Sequence, residues 1–377
     1  MRGFYETSES NLTIMFVIFL GRVNKVRKPT HGKSAWITAA GYVKLTKVEI
    51  SELQPNEVLI KVMNVGICGT DLEIYQGDMV YFTEGKATYP IIPGHEWSGQ
   101  IVDIGTNVDQ FEVGDRVVGE TTLPCNSCET CKKGKYNICS RRKENGILGK
   151  NGAVTQFMVY PASGLHKFSL SLDFESAALT EPTAVAYSGI LKVNVTPNDR
   201  VLILGAGPLG LLALQVAKVF GAKLVVLVDL NQFRLEVGKD LGADYVIDIS
   251  RESLMEKSNL LTEGKGFDVI VEASGNIAAM ESMLEVTAVG ARICLMGLCG
   301  GHSAKMNIDR IVTSDINLCG SLGSPGVWAT VLDLMQSGKI LTKPLITHRF
   351  PLEELDRAFR LMQAKEPKLL KAILQIG

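Results

Sequence analysis

From Ser34 to Ile50 (SAWITAAGYVKLTKVEI) and from Asn56 to Cys68 (NEVLIKVMNVGIC), β-branched and other apolar residues alternate with polar ones, and turns come often. Residues 99–120, GQIVDIGTNVDQFEVGDRVVGE, continue the pattern. A period of two predicts half-buried strands, here an antiparallel, barrel-like β domain. The texture changes after Thr196. Residues 199–230, DRVLILGAGPLGLLALQVAKVFGAKLVVLVDL, read as strand, glycine turn, helix and strand, and further strands follow at FDVIVEASG and ARICLMG. Apolar strands that alternate with helices predict a parallel, doubly wound sheet. The tail holds two amphipathic helices, near Trp328–Gln336 and Glu353–Met362, and a last strand, KAILQI, expected to return to the first domain.

The glycine turn gives the second domain its chemistry. Gly205, Gly207 and Gly210 form G-x-G-x-x-G, with Pro208 and Leu209 between, directly after a strand and at the start of a helix. The first glycine permits the tight turn, the second lets a pyrophosphate approach the backbone, and the third lets helix and strand pack closely. Phosphates then meet the free N–H groups at the helix N-terminus. Asp229 ends the next strand, where a carboxylate can accept from both ribose hydroxyls and repel a 2′-phosphate. NAD is therefore expected over NADP. Arg234 is the one residue that softens that preference.

At 377 residues the chain suits two domains, and its composition, 46% hydrophobic and 21% charged, is that of a globular protein. A net charge of −1 gives no electrostatic case for nucleic acid or an anionic membrane surface. Residues 1–32 fit the rest poorly. The apolar run LTIMFVIFLG (12–21) has the length of a signal-peptide core, but Glu6 and Glu9 precede it and Arg22, Lys25, Arg27 and Lys28 follow it. That is the reverse of a secretory leader. An N-terminal extension ahead of a domain starting near Lys33, and a cytoplasmic protein, are expected.

Four of the eight cysteines, Cys125, Cys128, Cys131 and Cys139, fall within fifteen positions. In a reducing compartment such a cluster favours a metal over disulfides. Four thiolates close a tetrahedron around Zn²⁺ and leave no open position, so the site would be structural. Disulfides, a redox pair and an iron–sulfur cluster are the alternatives on spacing alone. Chemistry needs a metal with a vacancy. GICGTD supplies Cys68, PGHEWSG supplies His95 and Glu96, and LTEPTAVAY supplies Glu181. Taken singly, such a cysteine or histidine is ordinary core. Each here lies beside glycine, proline or a strand end, where a side chain can point into a cleft.

From about Lys33 to Gly377 the chain resembles the zinc-dependent medium-chain dehydrogenases, in the branch holding sorbitol (polyol) and threonine dehydrogenases. The motifs are CGTD, GHEWSG, the four-cysteine loop, TEP, GAGPLG and the tail KPLITHRFPLEELDRAF. The resemblance implies a GroES-like β-barrel catalytic domain at 33–183, completed by 326–377, beside a Rossmann domain at 184–325. It implies one catalytic zinc held by Cys68, His95 and a glutamate, with Glu96 and Glu181 both near the metal and labile. It places Thr70 at the alcohol oxygen and Asp71 behind a ligand such as His95. Zinc lowers the pKa of a bound hydroxyl, which helps its carbon release hydride to the nicotinamide. It also implies pairing across INLCGSLG into a homodimer, extending to a homotetramer.

The chain departs from its relatives at several points. Glu73 stands five residues after Cys68, where many relatives carry a relay histidine; it reads as a solvated carboxylate, or as a proton relay or partner for a substrate amino group. Gly323 and Ser324 stand where sorbitol dehydrogenases place Arg-Tyr. Glu181-Pro182 replaces the threonine branch's Asp-Pro, and GETTLPC lacks its histidine. A cyclic polyol or aminocyclitol fits these departures, and GHEWSG with EPTAVA is similar to cyclitol dehydrogenases. The expected activity is NAD-linked oxidation of a secondary alcohol. The competing readings are a biosynthetic reductase of a cyclic ketone, a threonine dehydrogenase-like enzyme, and a silent dinucleotide-binding protein. His348 and Arg349 are read as docking the tail, and His31, His166 and His302 carry no expected role.

Overall fold

The computed structural model describes residues 29–377. The apolar run at 12–21 and its flanking charges lie outside the described residues. The first strand, His31–Ala39, begins two residues before Lys33.

Seven strands form the first large sheet. Its order is Leu165–Lys167, Arg116–Gly119, Glu96–Ile104, Glu57–Ile67, Lys371–Gln375 and Ile346–Pro351, with Phe157–Pro161 also paired to Glu57–Ile67. All pairings are antiparallel except that of the two tail strands. Inside this sheet Val58, Ile60, Trp97, Tyr160, Phe359 and Leu374 form a buried core.

The second sheet has six parallel strands. The order is Tyr245–Asp248, Leu224–Asp229, Arg200–Leu204, Phe267–Glu272, Thr287–Leu295 and Asn317–Gly320. In chain order that is 3-2-1-4-5-6, the doubly wound dinucleotide-binding arrangement. Both faces are buried. Val201 and Ile203 face one core with the Thr180–Lys192 and Pro208–Val219 helices, while Leu202 and Leu204 face the other.

The two halves share structure rather than meeting at a linker. The Thr180–Lys192 helix runs unbroken through the 183/184 division expected from sequence. The last strand alternates between cores: Ala372 and Leu374 enter the barrel core, and Ile373 enters the core of the parallel sheet. Among the described residues no helix is long and apolar enough to cross a membrane.

Candidate active site and metal centres

The Glu57–Ile67 strand ends at Cys68, which caps the Gly69–Gln76 helix. Its neighbour Glu96–Ile104 begins just after His95, and Gly66 pairs with Glu96 in register. That register brings one donor atom each of Cys68, His95 and Glu96 within 4.8 Å of one another. Glu181, at the start of the Thr180–Lys192 helix, stands outside that group, although its charge is felt by His95 and Glu96. Burial pushes its carboxyl up to about 7, against the pull of His95.

Asp71 ties the two ligand-bearing segments together. Its Oδ2 accepts from the Cys68 N–H at 2.9 Å and its Oδ1 from the Gly94 N–H at 3.0 Å. Oδ1 also lies 3.5 Å from His95 Nδ1. Burial alone would raise the Asp71 carboxyl, but His95 and the two N–H groups hold it below the ordinary range. Burial would lower His95, yet Asp71 and Cys68 draw its proton affinity well above the usual value. Nδ1 of His95 is buried without a hydrogen-bond partner. A pocket of thiol, imidazole and carboxylates that pulls this hard on a proton also suits a divalent cation.

Lys371, unsignalled by any motif, closes the site. The residue is 3% exposed, and its ammonium lies 2.6 Å from Glu96 Oε1 and 2.5 Å from Oε2. Oε2 is off the angle of a hydrogen bond, so the contact is an ion pair along that edge. The only trace in the sequence is a lysine leading a strand whose next three residues are apolar.

Thr70 and Glu73 lie on the Gly69–Gln76 helix. Among the described residues the Thr70 hydroxyl makes no hydrogen bond. Glu73 is part-buried, and burial together with the charge of Asp78 holds its carboxyl above the ordinary range.

The four cysteine sulfurs form a second cluster on a loop. Neighbouring Sγ atoms stand 3.4 Å (Cys128–Cys131), 3.5 Å (Cys125–Cys139), 3.7 Å (Cys128–Cys139) and 3.9 Å (Cys125–Cys131) apart. No disulfide links them. A Zn–S length of about 2.3 Å gives tetrahedral edges of about 3.8 Å. The Ser127 N–H and hydroxyl draw Cys125 down to about 5, while burial and the adjacent sulfurs push Cys131 up to about 12. Arg141 also donates to Cys125 Sγ at 3.2 Å. The loop docks through Tyr136, whose hydroxyl reaches Glu120 and accepts from the Gly326 N–H, and Asn137, which donates to the Leu322 carbonyl. His166 joins this network through Glu120 at 2.9 Å and stacks on Trp328, a place the sequence did not suggest.

In the parallel sheet the glycine turn closes over the end of Arg200–Leu204. A Cβ on Gly210 would overlap the Gly205 carbonyl, whereas one on Gly207 would enter open space at the cap of the Pro208–Val219 helix. That space is where a phosphate can approach. Leu209 packs against the core, and Pro208 takes the first helical turn, where no N–H is needed. Asp229 accepts from the N–H groups of Ala206 (2.6 Å), Leu230 and Asn231. Arg234 turns toward the tail and donates to the Leu369 carbonyl at 3.3 Å, as Asn231 does to Pro367 at 2.8 Å. Residues 367–371 thus run from the start of the helix after Asp229 to the Glu96 pair. In the tail, Arg349 grips Glu175 with two nitrogens and His348 bonds Thr347. Ser324 is engaged by the Trp328 indole at 3.1 Å.

Two family models match the chain, the alcohol dehydrogenase GroES-like domain over residues 54–170 and the zinc-binding dehydrogenase over residues 208–337. The chain is 34% identical to a sorbitol dehydrogenase of Bacillus subtilis, over 89% of this chain and 95% of that one. It is 37% identical to an L-threonine 3-dehydrogenase of Pyrococcus horikoshii, over 87% and 94%. The crystal structure of an Escherichia coli alcohol dehydrogenase with NADH superimposes with a TM-score of 0.84 at 29% identity, covering 92% of this chain and all of that one. Zinc and a nicotinamide dinucleotide are the cofactors of such enzymes. The chain belongs to the zinc-dependent medium-chain dehydrogenase family, in the branch of the polyol and threonine dehydrogenases.

Proposed function

We propose that this enzyme oxidises a secondary alcohol of a cyclic polyol or aminocyclitol to the ketone, with NAD as hydride acceptor and zinc held by Cys68, His95 and Glu96. The observation that carries the reading is the convergence of one donor atom each from those three residues to within 4.8 Å of one another, with His95 and Glu96 buried and Cys68 part-exposed. Bound there, the metal supplies Lewis acidity to the alcohol oxygen while the nicotinamide takes the hydride. The chain's own residues do the rest. Asp71 fixes the backbone on both sides of the site and the ring of His95. Thr70, whose hydroxyl makes no hydrogen bond among the described residues, would take the alcohol proton and pass it outward. Glu73, whose carboxyl burial and the charge of Asp78 hold above the ordinary range, is the next group on that helix to receive it or to pair with a substrate amino group. Glu181 supports the site from outside the donor group. The four-cysteine loop holds a second, structural zinc.

Ser324 supports the choice of substrate. Its hydroxyl is occupied by Trp328, and Gly323 has no side chain, so this turn extends no long polar arm toward an open-chain polyol. Asp229 beside the glycine turn supports NAD over NADP. The exposed edge of Asn317–Gly320 is the surface for dimer pairing. NADH and NADPH formation across sorbitol, threonine, inositols and aminocyclitols tests the reading. Preference for threonine or open-chain sorbitol, or for NADP, overturns it.

A further inference from the structure

Lys371 has no part in the reaction as described, yet it is among the most enclosed charges in the molecule. Cys68, Asp71, Glu96 and Glu181 are the ionisable groups that feel its charge. A buried ion pair kept only to join two strands is commonly replaced by apolar side chains at no loss of stability. Here the backbone is shaped around the pair. Gly66 lies against the Glu96 carboxylate, and a Cβ there would overlap Oε2. Both Glu96 oxygens lie against one ammonium. With the Cys68 thiolate, the Glu96 carboxylate and the buried Asp71 carboxylate about a divalent cation, one negative charge is in excess, and the Lys371 ammonium offsets it.

Resting on the proposal that Cys68, His95 and Glu96 hold zinc, we propose that Lys371 is a positioning residue for that site: its ammonium engages the Glu96 carboxylate along both oxygens, keeps it a weak and displaceable donor, and so leaves a position for the alcohol. Without that ammonium, Glu96 is a free carboxylate beside the metal and closes the position itself.

Cobalt-loaded protein tests this, because its visible bands report coordination independently of turnover. A Cys68→Ser variant supplies the background of the four-cysteine loop. Wild type must first bind two metal ions per chain; a single ion, held by the loop alone, would overturn the site assignment itself rather than the role of Lys371. Given two, Lys371→Met is expected to shift the bands of the Cys68 site and slow cobalt loss to a chelator by about tenfold. It should lower kcat by about 10–100-fold with little change in KM, and Lys371→Arg should restore both. Unchanged bands and chelator rates, with only a lowered Tm, mean that Lys371 merely joins strands and overturn the proposal. If Lys371→Met does not fold, the Lys371→Met/Glu96→Gln double variant replaces it. Because Lys371 acts through Glu96, the double variant must match Glu96→Gln alone, and any further change overturns the proposal.

Discussion

Cys125, Cys128, Cys131 and Cys139 come from fifteen consecutive positions and sit mostly part-exposed on one loop, whereas Cys68, His95, Glu96 and Lys371 come from three distant segments and are buried apart from the part-exposed Cys68. The first cluster has four like donors, and local turns set its geometry. The second mixes thiol, imidazole and carboxylate, and strand register sets its geometry. The difference separates their work. On the proposed reading, four thiolates would close a metal site and brace a loop, while unequal donors, one of them held by an ammonium, would leave a metal able to accept a substrate.

The largest effect is expected at the second cluster. Cys68→Ser should cost at least about 10³-fold in kcat/KM and one equivalent of zinc, above the 10–100-fold typical of outer partners, while Tm changes little. A variant that keeps its zinc and its rate would remove the reason to distinguish the sites. Cys139→Ser, at a fully buried position of the loop, should do the reverse. It should lose the other zinc and lower Tm, with the rate per folded, metal-loaded molecule kept within about threefold, read by metal analysis and calorimetry together. Because zinc competes with protons for these thiols, acidification should empty the loop.

Asp71→Asn comes next. An amide has one acceptor oxygen where the carboxylate has two, so either the Cys68 or the Gly94 N–H loses its partner. A fall of about 10–100-fold in zinc affinity, by competition with a chromophoric chelator, is expected. Glu73→Gln sharpens the reading of the same helix. A relay carboxylate predicts a shifted pH–rate profile, and an unchanged profile and substrate ranking make Glu73 a solvated side chain.

Arg349→Ala should give the smallest effect, about 0.5 kcal/mol for a solvent-screened pair. Arg349 holds the Glu175 carboxyl below its ordinary range. That contribution is present above the unfolded-state pKa of Glu175 and disappears as pH falls through its lower folded value. The Tm difference between variant and wild type should therefore shrink on acidification, and a difference constant with pH would mean lost packing instead.

Much of this was open to sequence reasoning where the signal is local. The glycine turn, its strand and its helix are contiguous, and the cysteine spacing is a short-range fact. Asp229 lay at the predicted strand end, but its hold on the Ala206 N–H depends on the pairing of the Arg200–Leu204 and Leu224–Asp229 strands, and the turn of Arg234 toward Leu369 on how the tail packs. His166 offered no motif, because its partners Glu120 and Trp328 are 46 and 162 residues away in the chain.

The amino-acid order by itself determined the two textures, the dinucleotide turn and the donor types, because periodicity, glycine geometry and ligand chemistry act over a few residues. Only the tertiary structure decided that Glu96 rather than Glu181 joins Cys68 and His95, and that Lys371 stands against Glu96 from 275 positions along the chain. Those facts follow from which strands lie side by side and in what register, and register is a property of the whole packed sheet.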